Sequence, residues 1–504
     1  MSGHDVVVVG SGPNGLAAAV TLARAGLGVL VLEAQPEAGG GARTLPLPGA
    51  ETGLVHDVCS AVHPMAAASP FFRSFDLAAR GVELIEPPVQ FAHPLDGGRA
   101  GLAYRDAART AAGLGVDGQA WLDLVGRLAA DPDALLGAGL GDRRSIPPEA
   151  WKSVSGLLTT ARFGLGVLEQ GTRLWDRRFE GDVAPALLTG VAAHSITPLP
   201  TLAAAGTALM LASLAHSHGW PLPRGGSAAI THALLADLEA HGGQVRTGVR
   251  VGSTADLPPA RAYVFDTSPQ AAAEILGSRL PRRADRALRG FRYGDAAAKV
   301  DFVLDGPVPW AHAEVGQAGT VHLGGSRAQL VEAETAVAAG RHAEHPLVLV
   351  SDPVVVDPDR EVGGLRPLWT YAHVPAGSTV DPTEAVTTQI ERFAPGFRDV
   401  VVSSQSTPAS RMSEHDENYV GGDIAAGAVT MWQMVARPTL RPSPWSTGAD
   451  GVYLCSSSTP PGPGVHGMAG WFAARQVLRD RFGRREMPDL APTTGQRADA
   501  GRPE

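Results

Sequence analysis

A strand that breaks into a glycine-rich turn near the start of the chain constrains its fold more than any other feature. Val6 to Val9 form an apolar run that reads as a buried parallel strand. Gly10-Ser11-Gly12-Pro13-Asn14-Gly15 comes next, then an alanine-rich helical stretch, a second apolar run from Val29 to Leu32, and Glu33. Strand, glycine turn, helix, strand and acid in that order hold a dinucleotide. Gly10 permits the tight turn, and Gly12 lets the backbone approach a pyrophosphate with no Cβ in the way. Gly15 lets the helix pack close to the strand. Pro13 and Asn14 open that helix, whose N-terminus offers unpaired N–H groups and partial positive charge to phosphates. Glu33 suits both ribose hydroxyls and repels a 2′-phosphate.

A second glycine cluster, Gly39-Gly40-Gly41, runs into Ala42-Arg43-Thr44. A nicotinamide-binding unit does not need it. The stretch resembles the extension of FAD enzymes in the glutathione-reductase-like superfamily, in the branch that holds amine oxidases and phytoene desaturases. That resemblance implies FAD as cofactor, with Gly40 and Gly41 bringing backbone amides to it. It also implies that Arg43 and Thr44 lie at the phosphates or flavin. No second strand–GxGxxG–helix unit appears, so one dinucleotide is expected and a separate NADPH domain is not.

The far end of the chain carries a related pattern. Gly451 to Cys455 reads as a strand, followed by a serine turn. Pro460 to Gly470 then leads into a helix predicted over Trp471–Arg479. In the superfamily this segment closes over the flavin, which implies cofactor contacts at Gly464, Val465 and Gly467. From end to end the chain resembles the phytoene desaturase and carotenoid isomerase-like FAD oxidoreductases. Within that family it resembles the branch named after pyridine nucleotide-disulfide oxidoreductase domain-containing protein 2. The resemblance rests on the opening motif, His56-Asp57-Val58-Cys59-Ser60, Gly219-Trp220-Pro221, Gly225-Gly226-Ser227, Lys299-Val300-Asp301, Phe393 to Phe397, Gly421-Gly422-Asp423-Ile424 and Gly464 to Gly470. It also implies a cofactor contact at Val249, within a strand expected over Val245–Val251. Where the family has Cys-Gly, this chain has Cys455-Ser456-Ser457-Ser458, leaving Ser457 to bond the ribityl chain.

The implied fold is α/β, a Rossmann-like FAD-binding domain with a discontinuous α+β substrate domain and a helical cap. Residues 1–75, 219–290 and 421–485 make up the first domain, 76–218 and 291–420 the second, and 486–504 a flexible tail. With 504 residues the chain is long enough for both. Its net charge of −9, with both signs mixed, leaves no nucleic-acid footprint. Two distant cysteines with no C-x-x-C argue against dithiol chemistry and disulfide frameworks. No signal peptide precedes the first strand, and the expected setting is cytoplasmic. Leu202 to Ala215 reads as a core helix rather than a membrane span. Peripheral membrane contact and a homodimer remain compatible with the sequence.

No metal-ligating set stands out. Lys299 is the leading catalytic candidate, because strand alternation places Lys299, Asp301 and Val303 on one face. In amine oxidases a similar strand carries a lysine that holds water at the flavin; the plain alternative is a surface lysine on an edge strand. His466, inside the closing turn, is the second candidate, against a histidine satisfied by backbone. The expected activity is dehydrogenation or desaturation of an apolar or amphipathic small molecule, with oxygen or a quinone as electron acceptor. An amine oxidase is the narrower alternative, with Trp310, Trp369, Tyr371 and Trp432 as parts of an aromatic cage. A double-bond isomerase and a non-catalytic FAD-stabilised interaction protein are the others.

Overall fold

The computed structural model describes residues 3–47, 53–142 and 153–492. The strands of the two large sheets, in chain order, are β1 (His4–Val9), β2 (Val29–Leu32), β3 (Val89–Leu95), β4 (Arg99–Ala103), β5 (Gln244–Arg246), β6 (Ala260–Phe265), β7 (Ala296–Leu304), β8 (Ala318–Leu323), β9 (Val348–Ser351), β10 (Arg366–Val374), β11 (Val401–Thr407) and β12 (Val452–Leu454). The helices that matter for the site are α1 (Pro13–Arg24), α2 (Val154–Gln170), α3 (Val183–Ala192), α4 (Leu202–Ser217), α5 (Ala228–Ala240), α6 (Pro269–Leu276), α7 (Thr383–Phe393) and α8 (Met468–Phe482).

A five-stranded parallel sheet has the order β12-β6-β1-β2-β5. Apart from the exposed edge strand β5, its strands are short and mainly apolar because helices cover both faces. Helices α1, α5 and α8 close one face through Leu16, Val20, Leu234, Ala473 and Val477. The first and last helices meet closely: a Cβ on Gly470 would lie 1.9 Å from the Asn14 carbonyl oxygen. Only glycine permits that approach, and it binds the two ends of the chain into one layer.

A seven-stranded sheet has the order β11-β7-β10-β9-β8-β3-β4. All pairs are antiparallel except β8 with β3. One face packs Val300, Phe302, Leu368 and Val350 against Ile390 and Phe393 of α7. The other face, carrying Ala297, Trp369, Tyr371, Leu349 and Phe91, packs against the cap through Leu187, Val191, Leu209 and Trp121. Burial of both faces explains why β7 has no exposed position.

Two expectations need correction. The strand expected over Val245–Val251 ends at Arg246, because Gly248 turns the chain with φ +68°. The expected tail is docked at its start: Leu490 is buried, and Arg24 and Arg80 donate to the carbonyls of Asp489, Leu490 and Ala491. Both arginines are held by buried Asp237, so the docking point is preset. Residues 493–504 of that tail lie outside the described residues.

Candidate functional site

The glycine turn sits at the carboxyl end of β1, between β2 and β6. Gly10 has φ +96°, and a Cβ there would lie 2.7 Å from the Asp266 carbonyl oxygen. A Cβ on Gly15 would lie 2.5 Å from the Gly10 oxygen, so helix and turn touch backbone to backbone. Pro13 occupies the first turn of α1; the N-cap Gly12 has no side chain to cap it, and Asp266 Oδ2 accepts from the Gly15 N–H at 2.8 Å. The remaining first-turn N–H groups are left to other partners. Asn14 is buried with Oδ1 unpartnered.

Glu33, just after β2, fastens the turn to the neighbouring loops. Its Oε2 accepts from the Ser11 N–H at 2.9 Å and hydroxyl at 2.5 Å, and its Oε1 from the Gln35 N–H at 2.8 Å. The Ser11 hydroxyl in turn accepts from the Gly39 N–H at 3.1 Å. Val249 donates its N–H to the Glu33 carbonyl at 2.8 Å. The loop freed by the early end of β5 thus reaches the turn. Ser11, Glu33, Gln35 and Val249 line a cavity of about 150 Å³ with Gly10, Gly12, Val251 and Asp266. Further walls are Ala271, Glu274 and Ile275 of α6 and a strap, His415 to Asn418. Sequence reading missed that strap, since nothing in its composition marks it, and it falls in the segment assigned to the substrate domain.

The second glycine cluster folds back over the first. A Cβ on Gly40 would lie 2.8 Å from the Gly12 Cα, and one on Gly41 would fall 1.9 Å from the Tyr419 hydroxyl. Arg43 is buried; it donates to the Gly40 carbonyl at 2.8 Å and to the His415 carbonyl. It therefore fastens the strap across the site. The side chain of Thr44, expected at the cofactor, is committed to protein partners. Its hydroxyl donates to Asp57 at 2.7 Å and accepts from the Ala228 N–H at 3.0 Å, tying the extension to the start of α5.

The closing turn lies beside the segment after the extension. A Cβ on Gly464 would lie 2.5 Å from the Met65 sulfur, and one on Gly467 the same distance from Phe71. Val465 and Ser457 are half-buried here. His466, the second catalytic candidate, has both ring nitrogens engaged within the turn. Its Nε2 donates to the Gly462 carbonyl and its Nδ1 accepts from the Met468 N–H, each at 3.0 Å. Burial pushes its pKa down to about 4. The ring is a neutral clamp within its own turn.

Lys299 stands on β7, an interior strand, and is 2% exposed, which excludes the surface reading. Its ammonium donates to both carboxylate oxygens of Asp301 and lies 3.2 Å from His56 Nδ1. His56 Nδ1 also reaches Asp301 Oδ2 at 2.8 Å. Burial pushes the Asp301 carboxyl up, but the Lys299 charge and the His56 contact outweigh it and hold it below the usual range. Strand alternation announced the Lys299–Asp301 pair; His56 joins it only through tertiary contact. Cys59 connects this set to the glycine extension: it lies against Gly41, bonds Tyr419 and feels the Lys299 charge. Burial pushes its thiol up to about 11, so it stays protonated.

One row across the sheet runs from Lys299 through Tyr371 and Leu349 to His322. Trp369 and Tyr371 meet edge to face at 5.2 Å, whereas Trp310 packs against the opposite face and Trp432 is 67% exposed. Only two of the four expected cage aromatics come together. The far end of the row is a histidine cluster in which His194 Nε2 lies 2.8 Å from His322 Nε2.

Comparison with known proteins agrees with this architecture. Residues 8–76 match the NAD(P)-binding Rossmann-like domain family. The rat pyridine nucleotide-disulfide oxidoreductase domain-containing protein 2 is 25% identical over 95% of this chain and 94% of its own length. Hydroxyneurosporene desaturase of Rhodobacter capsulatus is 57% identical over 51 residues, 10% of each chain. A solved putrescine oxidase variant superposes with a TM-score of 0.59 at 15% identity, covering 94% of this chain and 98% of its own. The chain is thus similar along its length to a named oxidoreductase-domain protein, and it shares the fold of the putrescine oxidase, with a Rossmann-like unit at residues 8–76.

Proposed function

We infer that this protein is an FAD-dependent oxidoreductase that takes hydrogen from a C–H bond of an amphipathic small molecule lying between the seven-stranded sheet and the cap. The buried Lys299–Asp301–His56 set, linked through Cys59 and Tyr419 to the glycine extension, carries this reading. The cofactor fits the residues present. The cavity at Gly10, Gly12, Glu33 and Val249 suits the adenosine end, and the α1 N-terminus, whose N-cap Gly12 has no side chain, suits the pyrophosphate. Gly40, Gly41, Ser457, Gly464, Val465 and Gly467 are left for the ribityl chain and flavin. When bound, FAD supplies the two-electron acceptor for the hydrogen leaving the substrate.

Lys299 is the catalytic residue of this proposal. Asp301 fixes its Nζ, so a remaining N–H holds a water at the reacting face. The chain contains two lysines, Lys152 and Lys299, among 42 basic Lys and Arg residues. An ammonium is a compact point charge, which the broader guanidinium fork cannot replace at this buried position. Trp369 and Tyr371 next to Lys299 would receive the apolar part of the substrate. His93, His194 and His322, held neutral by burial, make the rest of the row polar and favour an amphipathic molecule over a hydrocarbon. A second reading, oxidation of an amine, draws on that aromatic pair and on the putrescine oxidase likeness. Two unpaired thiols suit a reducing compartment such as the cytoplasm.

Purified protein that is colourless and takes up no FAD would overturn this reading. Bleaching of bound flavin on anaerobic mixing with candidate hydrocarbons, alcohols and amines distinguishes an enzyme from a non-catalytic flavoprotein and selects the substrate class. Reoxidation by oxygen against a soluble quinone then identifies the acceptor.

A further inference from the structure

Beneath the glycine turn stands a carboxyl group that the dinucleotide motif does not require. Asp266 comes directly after β6, and its backbone N–H donates to the Val9 carbonyl at 2.7 Å. Its Oδ2 accepts from the Gly15 N–H at 2.8 Å, the inner end of the helix terminus that would receive the pyrophosphate. A Cβ on Gly12 would lie 2.7 Å from the same oxygen, so the carboxyl touches the turn itself. Asp266 is buried and lines the cavity.

The groups around it add to its negative field. Glu33 at the end of β2 and Asp416 on the strap are acids within its reach, and Glu274 of α6 lines the same cavity. Cys455, just past β12, faces it as an uncharged thiol raised by burial. Of the nearby cations, Arg250 pairs with Glu417, and Arg43 bonds the Gly40 and His415 carbonyls. Burial, reinforced by Asp416 and Glu33, already pushes Asp266 up to about 7, although the Gly15 N–H opposes it. A pyrophosphate brings about two more negative charges to the same turn, and like charges at this range disfavour ionisation further.

We propose that Asp266 couples FAD loading to proton uptake: the pyrophosphate binds when this carboxyl is protonated, and binding at alkaline pH draws one proton from solvent. The neutral acid keeps Oδ2 as acceptor for the Gly15 N–H while its O–H no longer repels the phosphates. This proposal rests on the FAD reading above, but it fails separately from it.

The test is FAD affinity of the full chain freed of flavin, read by quenching of flavin fluorescence from pH 6 to 9. The expected Kd rises about tenfold per pH unit above neutrality, the slope of one linked proton. Asp266→Asn keeps the shape and an acceptor for Gly15, and its Kd is expected to stay flat. Calorimetric titration of the unmodified chain with FAD at pH 8.5, in two buffers of different ionisation heat, should return close to one proton taken up per FAD. That measurement decides the matter even if the variant does not fold. A flat Kd, no proton uptake, or an unchanged slope in Asp266→Asn overturns the proposal. Absence of FAD binding at every pH overturns the cofactor reading instead.

Discussion

Replacing Asp301 by Asn leaves the Lys299 ammonium almost fully buried with no anion beside it. In the native chain that ammonium contacts both Asp301 oxygens, and the other polar group near it is His56 Nδ1 at 3.2 Å. Removing one partner of a buried pair costs about 3–5 kcal/mol, because the remaining charge keeps its desolvation penalty. Lys299→Met together with Asp301→Leu removes both charges and restores apolar volume, so it should fall within about 1 kcal/mol of the native chain. The sign of the pH dependence is set by Asp301 being held below its ordinary value. Its stabilisation is fully present above the unfolded carboxylate pKa of about 4 and is lost as pH falls through the lower folded value. The deficit of Asp301→Asn should therefore be the same at pH 8 and pH 5. Urea denaturation followed by tryptophan fluorescence measures each term. A deficit below about 1 kcal/mol, or a double variant as weak as Asp301→Asn, would refute the buried-pair argument.

Lys299→Met should keep bound FAD and lower substrate-dependent flavin reduction or reoxidation at least tenfold; rates matching the native chain would remove Lys299 from catalysis. His466→Ala strands the Met468 N–H and Gly462 carbonyl, at roughly 1–3 kcal/mol for each buried group left unsatisfied. Its melting midpoint should drop while turnover per bound flavin is retained, and the opposite pattern would restore a catalytic role. Gly470→Ala places a Cβ 1.9 Å from the Asn14 oxygen, and overpacking of this kind costs about 1–3 kcal/mol or more; an unchanged melting temperature would contradict the close α1–α8 contact. His63, His93, His216 and His466 are each pushed down to about 4 by burial. Unfolding lets them bind protons from about pH 6.5 downward, so stability should fall as pH drops from about 6.5 to 4. Melting midpoints that stay level over that interval would argue against four buried neutral imidazoles.

The dinucleotide end of this protein was readable from the amino-acid sequence alone. A parallel βαβ unit is local: its strand, turn and helix are contiguous, and each glycine answers a short-range demand that shows in spacing alone. Alternation along a strand is equally local, which is why Lys299 and Asp301 were legible as a pair. What those residues meet was settled by the folded chain. His56 comes from a segment more than two hundred positions away and completes the lysine site. Asp266 slides under the first turn because β6 lies beside β1, and the strap at 415–418 walls the cavity without a sequence signal. Thr44 and His466 look like cofactor or catalytic residues by position, yet their polar atoms are taken by Asp57, Ala228, Gly462 and Met468. The physical reason is common to all of these. Position in a motif states what a side chain is able to do, but in a close-packed interior each buried polar atom must find a partner, and long-range packing chooses which one.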